Sequence, residues 1–172
     1  MSEELTTPTQ PESPDNFNSV LIGSGVIFVI SIVPFLNLLN VCCLGMLFGG
    51  SVAVWHYTNE YNLSLTSGEG FKLGALAGLL GGLAWLVARY VLLAFFDYDL
   101  GTEEIKEFFL NLTGDDPAVR AQMEESFREQ SANALSIGNI AIGTATTVIL
   151  YPLFAGLGGI IAASMFKKGS PQ

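Results

Sequence analysis

Arg89 is the only charged residue well inside a long apolar segment of this chain, which runs over residues 73–96. A charge inside a bilayer is costly and is by default a candidate for a solute pathway or a buried ion pair. Arg89 lies about two helical turns from the end of the segment, so its long side chain can reach the membrane boundary, where Asp97 or Asp99 would meet it. If Arg89 instead faces the interior of a helix bundle, it suits an anionic ligand or a lipid phosphate.

The other reactive side chains are few and poorly spaced for chemistry. Cys42 and Cys43 are adjacent rather than in the CxxC spacing of redox and zinc sites, which favours small core residues, with acylation near the membrane boundary as the alternative. His56 stands between Trp55 and Tyr57, an arrangement typical of an aromatic belt at a membrane boundary. Because one histidine cannot form a histidine-based metal site, we expect no metal.

The sequence contains none of the common catalytic or nucleotide-binding signatures, such as GxSxG, HExxH, the P-loop or the Rossmann fingerprint. Its glycine-rich run LGALAGLLGG lies inside an apolar segment, where helical hydrogen bonds already occupy the backbone. The chain carries 16 acids and 7 bases, too few bases for a nucleic-acid surface. We therefore expect no enzymatic activity, no cofactor and no nucleic-acid partner.

Three apolar stretches determine the predicted architecture, at residues 19–57, 73–96 and 137–166. A helix that crosses the roughly 30 Å hydrocarbon core needs about 20 apolar residues, and each stretch reaches or exceeds that length. The first stretch is about twice as long as one crossing needs, so it must fold back on itself. Proline removes a backbone donor, and asparagine side chains can hydrogen-bond a reversing backbone, which predicts a hairpin turn at Pro34, Asn37 and Asn40.

We therefore predict an all-α integral membrane protein, a four-helix transmembrane bundle with a tight first hairpin. A re-entrant hairpin is the alternative, and it would reduce the count to two full crossings. Residues 1–18 are predicted to be a disordered acidic tail and residues 167–172 a short C-terminal tail. The single transmembrane domain between them, residues 19–166, has its predicted spans at about 19–35, 41–57, 73–96 and 137–166.

The connector at residues 97–136 is predicted to contain two short amphipathic helices. Thr102 and the two acids that follow it are typical of a helix start, and this helix runs toward Gly114. Asp116 before Pro117 predicts the N-cap and the first position of the second helix. Short amphipathic helices beside spans lie on the membrane surface or cap the bundle, and a solvated connector is the alternative.

Small residues recur at one-turn spacing within the predicted spans. Such rows let helix backbones approach closely in a bilayer, where no hydrophobic drive brings helices together. They predict tight packing inside one bundle, with a seam between copies or a lipid contact as the alternatives. The predicted packing residues are Gly45, Gly49, Gly74, Gly78, Gly82 and Gly159.

The basic residues near the span ends are nearly balanced between the two sides of the membrane. The absence of a basic signal-peptide region and the pair Lys167 and Lys168 favour both termini inside. The stretches IVPFLNLLNVCCLGMLFGGSVAV, GEGFKLGALAGLLGG and IIAASMFKK resemble small four-span bacterial membrane proteins of unknown function. This resemblance implies the bacterial cytoplasmic (inner) membrane and supplies no functional residues.

Together these patterns predict a non-enzymatic scaffold or assembly component that packs through small-residue helix faces. Its expected partners are membrane lipids and either further copies of itself or another membrane protein. The alternative is a small oligomeric channel or carrier with Arg89 near its pathway, because Arg89 is the charge that a membrane-embedded pathway would use.

Overall fold

A computed structural model describes residues 15–33, 36, 40, 42–96, 98, 102–112 and 116–166, with side chains for all of these except 102–104 and 130. Within these residues the chain is all-helical, with six helices and no strand. Pro34 and Asn37 of the predicted hairpin turn lie outside the described residues, as do the two ends of the chain, 1–14 and 167–172. The helices are α1 Phe17–Ile32, α2 Leu44–Tyr61, α3 Ser67–Phe96, α4 Thr102–Leu112, α5 Pro117–Ala132 and α6 Ile137–Met165.

Local hydrogen bonds explain where several helices begin. At the start of α3 the Thr66 N–H donates to Glu69 Oε2 at 2.8 Å and the Glu69 N–H donates to Thr66 Oγ1 at 3.3 Å, which is a reciprocal capping box. At the start of α5 the Asp116 carboxylate accepts from the Ala118 N–H at 2.9 Å, and proline occupies the first helical position. These caps separate the helices along an otherwise apolar chain.

Four of the helices pack into a bundle with α3 and α6 at its centre. These two helices share the largest interface; α2 packs against both of them, while the backbone of α1 lies closest to α2 and α3. Buried side chains from all four helices form two core clusters, one of which contains Val54, Leu73 and Ala162 and the other Ile27 and Tyr151. Within the described residues, α4 and α5 contact each other and none of the four bundle helices.

The α2–α6 interface is a contact between backbones. Gly50 of α2 lies against the Ala155 carbonyl of α6, and Gly158 of α6 lies against the Leu47 carbonyl of α2, so that a Cβ at either glycine would overlap the facing backbone. Ser51 donates from its hydroxyl to the Leu47 and Gly158 carbonyls, at 2.8 and 2.9 Å. Close approach at small residues with a bridging hydroxyl is how helices associate when burial of apolar surface supplies no drive.

Two helices, α3 and α6, are long and apolar enough to cross a membrane, judged by length and composition. Only 17% and 39% of their most apolar stretches are buried within the protein. Helix α1 is apolar but has 16 residues, about 24 Å of helix, and α2 has 18 residues, about 27 Å, with polar side chains in its last turns. The predicted count of four crossings is therefore not confirmed, because helix length and composition support two.

Candidate functional site

A polar cluster lies where the short helices α1 and α2 meet the middle of the longer helices. The C-terminal end of α1 and the turn that precedes α2 stand at the same end of the bundle, while α3 and α6 have 30 and 29 residues and extend beyond them. We call this cluster the polar mouth. It consists of Ser31 of α1, Asn40 between α1 and α2, Trp85 and Arg89 of α3, and Tyr151 of α6.

Ser31 connects three parts of the polar mouth. Its hydroxyl donates to the Ile27 carbonyl at 2.8 Å and accepts from Asn40 Nδ2 at 3.0 Å. The side chain of Tyr151 lies near that of Ser31, across the bundle from α1 to α6. Ser31 is 1% exposed, so its two hydrogen bonds satisfy a hydroxyl that water cannot reach.

Trp85 and Arg89 form the second half of the polar mouth. The Trp85 and Tyr151 rings are stacked, with centroids 6.0 Å apart and 23° between their planes. The Arg89 guanidinium carbon lies 5.6 Å from the centroid of the Trp85 ring, in the range of a cation–π contact. The Trp85 Nε1–H is buried, and no acceptor for it is found among the described residues. Arg89, which the sequence analysis singled out as a charge within an apolar segment, is thus half-buried beside the indole of Trp85.

The charge on Arg89 is far from the acids of the bundle helices. The sequences of α1, α2, α3 and α6 contain two acids, Glu60 and Glu69, and both lie beside the loop that joins α2 to α3. Glu69 and Arg89 are 20 residues apart on one helix, about 30 Å. Asp97 and Asp99, the acids predicted to meet Arg89 at the membrane boundary, lie outside the described residues. The five residues that define the polar mouth therefore include one base and no acid.

The opposite end of the bundle carries a second polar group that the sequence analysis missed. Ser19 Oγ is 2.9 Å from His56 Nδ1, and Glu60 Oε2 is 3.4 Å from the same nitrogen. A serine–histidine–acid relay needs its serine and acid on opposite ring nitrogens, so this is not the geometry of a hydrolase. The four-residue spacing of His56 and Glu60 was visible in the sequence, but Ser19 joins them only through the α1–α2 hairpin.

The described residues offer neither a metal site nor a disulfide. Among them, no group of three or more His, Cys, Asp or Glu side chains is arranged to hold a metal ion. Cys42 and Cys43 are free thiols in the turn before α2, the first exposed and the second half-buried. Cys43 has a left-handed backbone with φ 58°, which turns the chain into α2.

An apolar groove of about 850 Å³ runs along the outer faces of α1 and α2. Its length follows α1 from Ile22 to Ile30, and Phe48 of α2 forms part of the opposite wall. A Cβ added at Gly25 would meet no atom within 4 Å, so the backbone of α1 is openly accessible there. The other lining residues are Val26, Val29, Leu36, Leu44, Gly45, Leu47 and Ser51.

The six glycines singled out from their spacing are all buried, and each faces another part of the same chain. Three of them, Gly74, Gly78 and Gly82 of α3, face α6 at Ala155 and Tyr151. Gly45 and Gly49 of α2 face α1, the first near Ile30 and Asn40 and the second near Ile27. Gly159 of α6 faces α3 near Gly70. Six further glycines in similar contacts were not singled out, namely Gly23, Gly50, Gly70, Gly81, Gly156 and Gly158.

Comparison with known proteins relates this chain to one family. The comparisons with curated proteins and with solved structures found no match. The family model described as "Protein of unknown function (DUF4199)" matches residues 14–168, which include all six helices. The chain therefore belongs to the DUF4199 family.

Proposed function

We propose that this chain is a four-span protein of the bacterial inner membrane, with both termini inside, that acts as a non-enzymatic scaffold by assembling with further copies of itself. The outward faces of the two shorter helices support the additional crossings. Val29 of α1 is 53% exposed and Phe48 of α2 is 59% exposed, although both belong to long apolar segments. Exposed apolar side chains of this size are stable against lipid and unfavourable in water. A helix slightly shorter than the bilayer core is accommodated by local thinning.

The groove between α1 and α2 is the observation that carries the assembly proposal. Helix association in a bilayer depends on close backbone approach at small residues. The six glycines predicted as packing residues already face helices or the α1–α2 turn of the same chain, whereas Gly25 faces outward with open space above it. The available point of close approach within the groove is therefore Gly25.

The occupant we propose for the groove is α1 of a second copy. The outward stripe of α1 contains Ile22, Gly25, Val26 and Val29, which are three or four residues apart. β-Branched side chains have few rotamers to lose on packing, and glycine lets the partner backbone approach. A two-fold axis would place each α1 in the groove of the other copy, which gives a closed dimer rather than a chain of subunits.

The test is the mass of the purified protein in nanodiscs. Wild type is expected to be a dimer. Gly25→Leu is expected to be a folded monomer with unchanged helix content, because the new side chain extends into the groove and its Cβ meets no atom within 4 Å. Gly138→Leu is the matched control, since a Cβ at Gly138 in α6 also meets no atom within 4 Å, and it should remain a dimer. A monomeric wild type, or a dimeric Gly25→Leu, would overturn the proposal.

A small oligomeric channel or carrier is the second candidate, and the half-buried Arg89 of the polar mouth favours it. An arginine that faces the bundle interior is suited to attract an anionic solute toward a membrane pathway.

Flux measurements in liposomes test this second candidate. The protein should conduct a small anion such as chloride, and Arg89→Ala should reduce that flux. Arg128→Ala is the control, because the Arg128 side chain is 77% exposed and pairs with Glu125 on α5. Wild-type liposomes with no more flux than empty ones would exclude transport of that anion by this protein.

A further inference from the structure

Helix α4 exposes an apolar stripe along one face. Ile105, Phe108, Phe109 and Leu112 are three or four residues apart, so their side chains share one side of the helix. Leu112 is 65% exposed, and both phenylalanines are exposed, with their rings edge to face at a centroid distance of 5.9 Å. Large apolar side chains grouped on an exposed face mark a surface that meets a partner or a membrane.

Helix α5 packs against α4 and leaves this stripe open. Among the described helices, the one whose backbone lies closest to α5 is α4, and the Arg120 guanidinium donates to the Leu110 carbonyl at 3.5 Å. Met123 and Phe127, the apolar residues in the middle of α5, are half-buried, whereas Arg128 is exposed. The larger open apolar face of the pair therefore belongs to α4, and α5 carries a polar outer face.

Two short connections hold the α4–α5 pair near one end of the long helices α3 and α6. Residues 97–101 separate α3 from α4 and reach at most about 20 Å when fully extended. Helix α5 joins α6 through a tight turn, in which the Asn133 carbonyl accepts from the Ser136 N–H at 2.9 Å and from Asn139 Nδ2 at 2.8 Å. Because α3 and α6 are the helices long and apolar enough to cross a membrane, the pair stays close to the boundary at which they would leave it.

The side chains at these ends of α3 and α6 indicate where lipid begins. Phe95 and Phe96 end α3 and are exposed, and Ile137, the first residue of α6, is 88% exposed. Exposed apolar side chains of this size are stable against lipid and unfavourable in water. Apolar lipid therefore lies beside the connections that lead to α4 and α5, within reach of the α4 stripe.

We propose that α4 lies in the membrane interface, with Phe108, Phe109 and Leu112 inserted at the boundary between headgroups and acyl chains and with α5 on the water side. Interfacial helices bury their apolar face about 5–10 Å into that boundary. The sequence of α4 has three acids and one base, and that of α5 has three acids and two bases, so anionic headgroups do not attract the pair. The partner of the stripe is therefore the apolar part of the lipid, and an uncharged phospholipid is sufficient. This position requires α3 and α6 to cross the membrane, as the proposed function does, but it requires neither a dimer nor crossing by α1 and α2.

Quenching of an environment-sensitive fluorophore tests the position of α4. Single cysteines in a Cys42→Ser, Cys43→Ser background are labelled with a nitrobenzoxadiazole maleimide, and the full chain is reconstituted into phosphatidylcholine vesicles. Phe108→Cys and Leu112→Cys place the label on the stripe, and each variant keeps the other three apolar residues. The matched controls are Glu107→Cys, exposed on another side of α4, and Ala121→Cys, exposed on α5. Circular dichroism confirms that each labelled variant keeps the helix content of wild type.

The labels at positions 108 and 112 are expected to be quenched at least about twofold more strongly than those at 107 and 121 by a lipid nitroxide near the headgroup end of the acyl chain, because only the stripe enters that layer. Aqueous iodide should show the opposite order. Equal lipid quenching at positions 107 and 112, or iodide quenching at 112 as strong as at 121, would overturn the proposal. Protection from iodide without quenching by lipid would also overturn it, because a protein surface would then cover the stripe.

A label on α6 separates this inference from the membrane location itself. Ile149 is exposed on α6, so a label on Ile149→Cys should be quenched by a nitroxide deeper in the acyl chain. If that label is quenched while those at positions 108 and 112 are not, the protein is in the membrane and the interfacial position of α4 is wrong. If none of the three is quenched, the membrane location fails as well.

Discussion

At the scale of single residues, neighbouring glycines of this chain have different environments. Gly23 and Gly25 are two residues apart on α1, yet a Cβ at Gly23 would lie 2.6 Å from Ala53 Cβ while a Cβ at Gly25 would meet nothing within 4 Å. Gly50 lies against the backbone of α6 at Ala155. The effect of a side chain at each position therefore depends on the helix that faces it rather than on the glycine itself.

Two alanine substitutions measure this difference. Gly50→Ala is expected to lower the free energy of unfolding by about 1–3 kcal/mol, because the new methyl group forces α2 and α6 apart. Gly25→Ala is expected to raise it by up to about 1 kcal/mol, because alanine favours the helix and the site is open. Reversible unfolding in mixed micelles measures both. A Gly50→Ala variant as stable as wild type would contradict the close α2–α6 contact.

At the scale of helices, length divides the bundle into two pairs. Helices α1 and α2, with 16 and 18 residues, form a hairpin of about 24–27 Å, whereas α3 and α6, with 30 and 29 residues, reach about 45 Å. The turn of the hairpin therefore ends beside the middle of the long pair rather than at its tip. That difference in length places the polar mouth partway along α3 and α6 rather than at their ends.

The sidedness of the hairpin turn tests whether α1 and α2 cross fully. Cys42 is exposed in the turn, and the loop between α2 and α3 contains Ser64. If both helices cross, a membrane-impermeant maleimide should label the native Cys42 from one side of oriented vesicles. It should label Ser64→Cys, made in a Cys42→Ser, Cys43→Ser background, from the other side. Protection of Cys42 from both sides, or labelling of both positions from the same side, would indicate a re-entrant hairpin.

At the scale of the whole molecule, the two ends of the bundle differ in charge. Glu60, Glu69 and the Ser19–His56 contact lie at the end with the α2–α3 loop, while Arg89 lies toward the other. The pair α4 and α5 contacts none of the bundle helices within the described residues, and it exposes Phe108, Phe109 and Leu112. The sequence prediction that such amphipathic helices lie on the membrane surface stays a prediction, and these exposed side chains are consistent with it.

The sequence by itself was sufficient to predict the helical class, the long apolar segments of α3 and α6, and the N-cap at Asp116. These features depend on local composition, on segment length and on which residues satisfy free backbone groups at helix ends. The count of four crossings depended on treating α1 and α2 as full spans, but α1 is too short and α2 ends in polar residues. The spacing of the glycines indicated where helices can approach closely, but not which partner they face.

Only the tertiary structure decided which face of each helix is inside. The apolar stripe of an amphipathic helix identifies its buried face, but α1 is apolar on almost every side, so its hydrophobic periodicity carries no such information. For that reason the sequence could not distinguish Gly25, which faces outward, from Gly23, which faces inward. Nor could it bring Ser31, Trp85 and Tyr151 together, because residues up to 120 positions apart meet through the rotation and register of three packed helices.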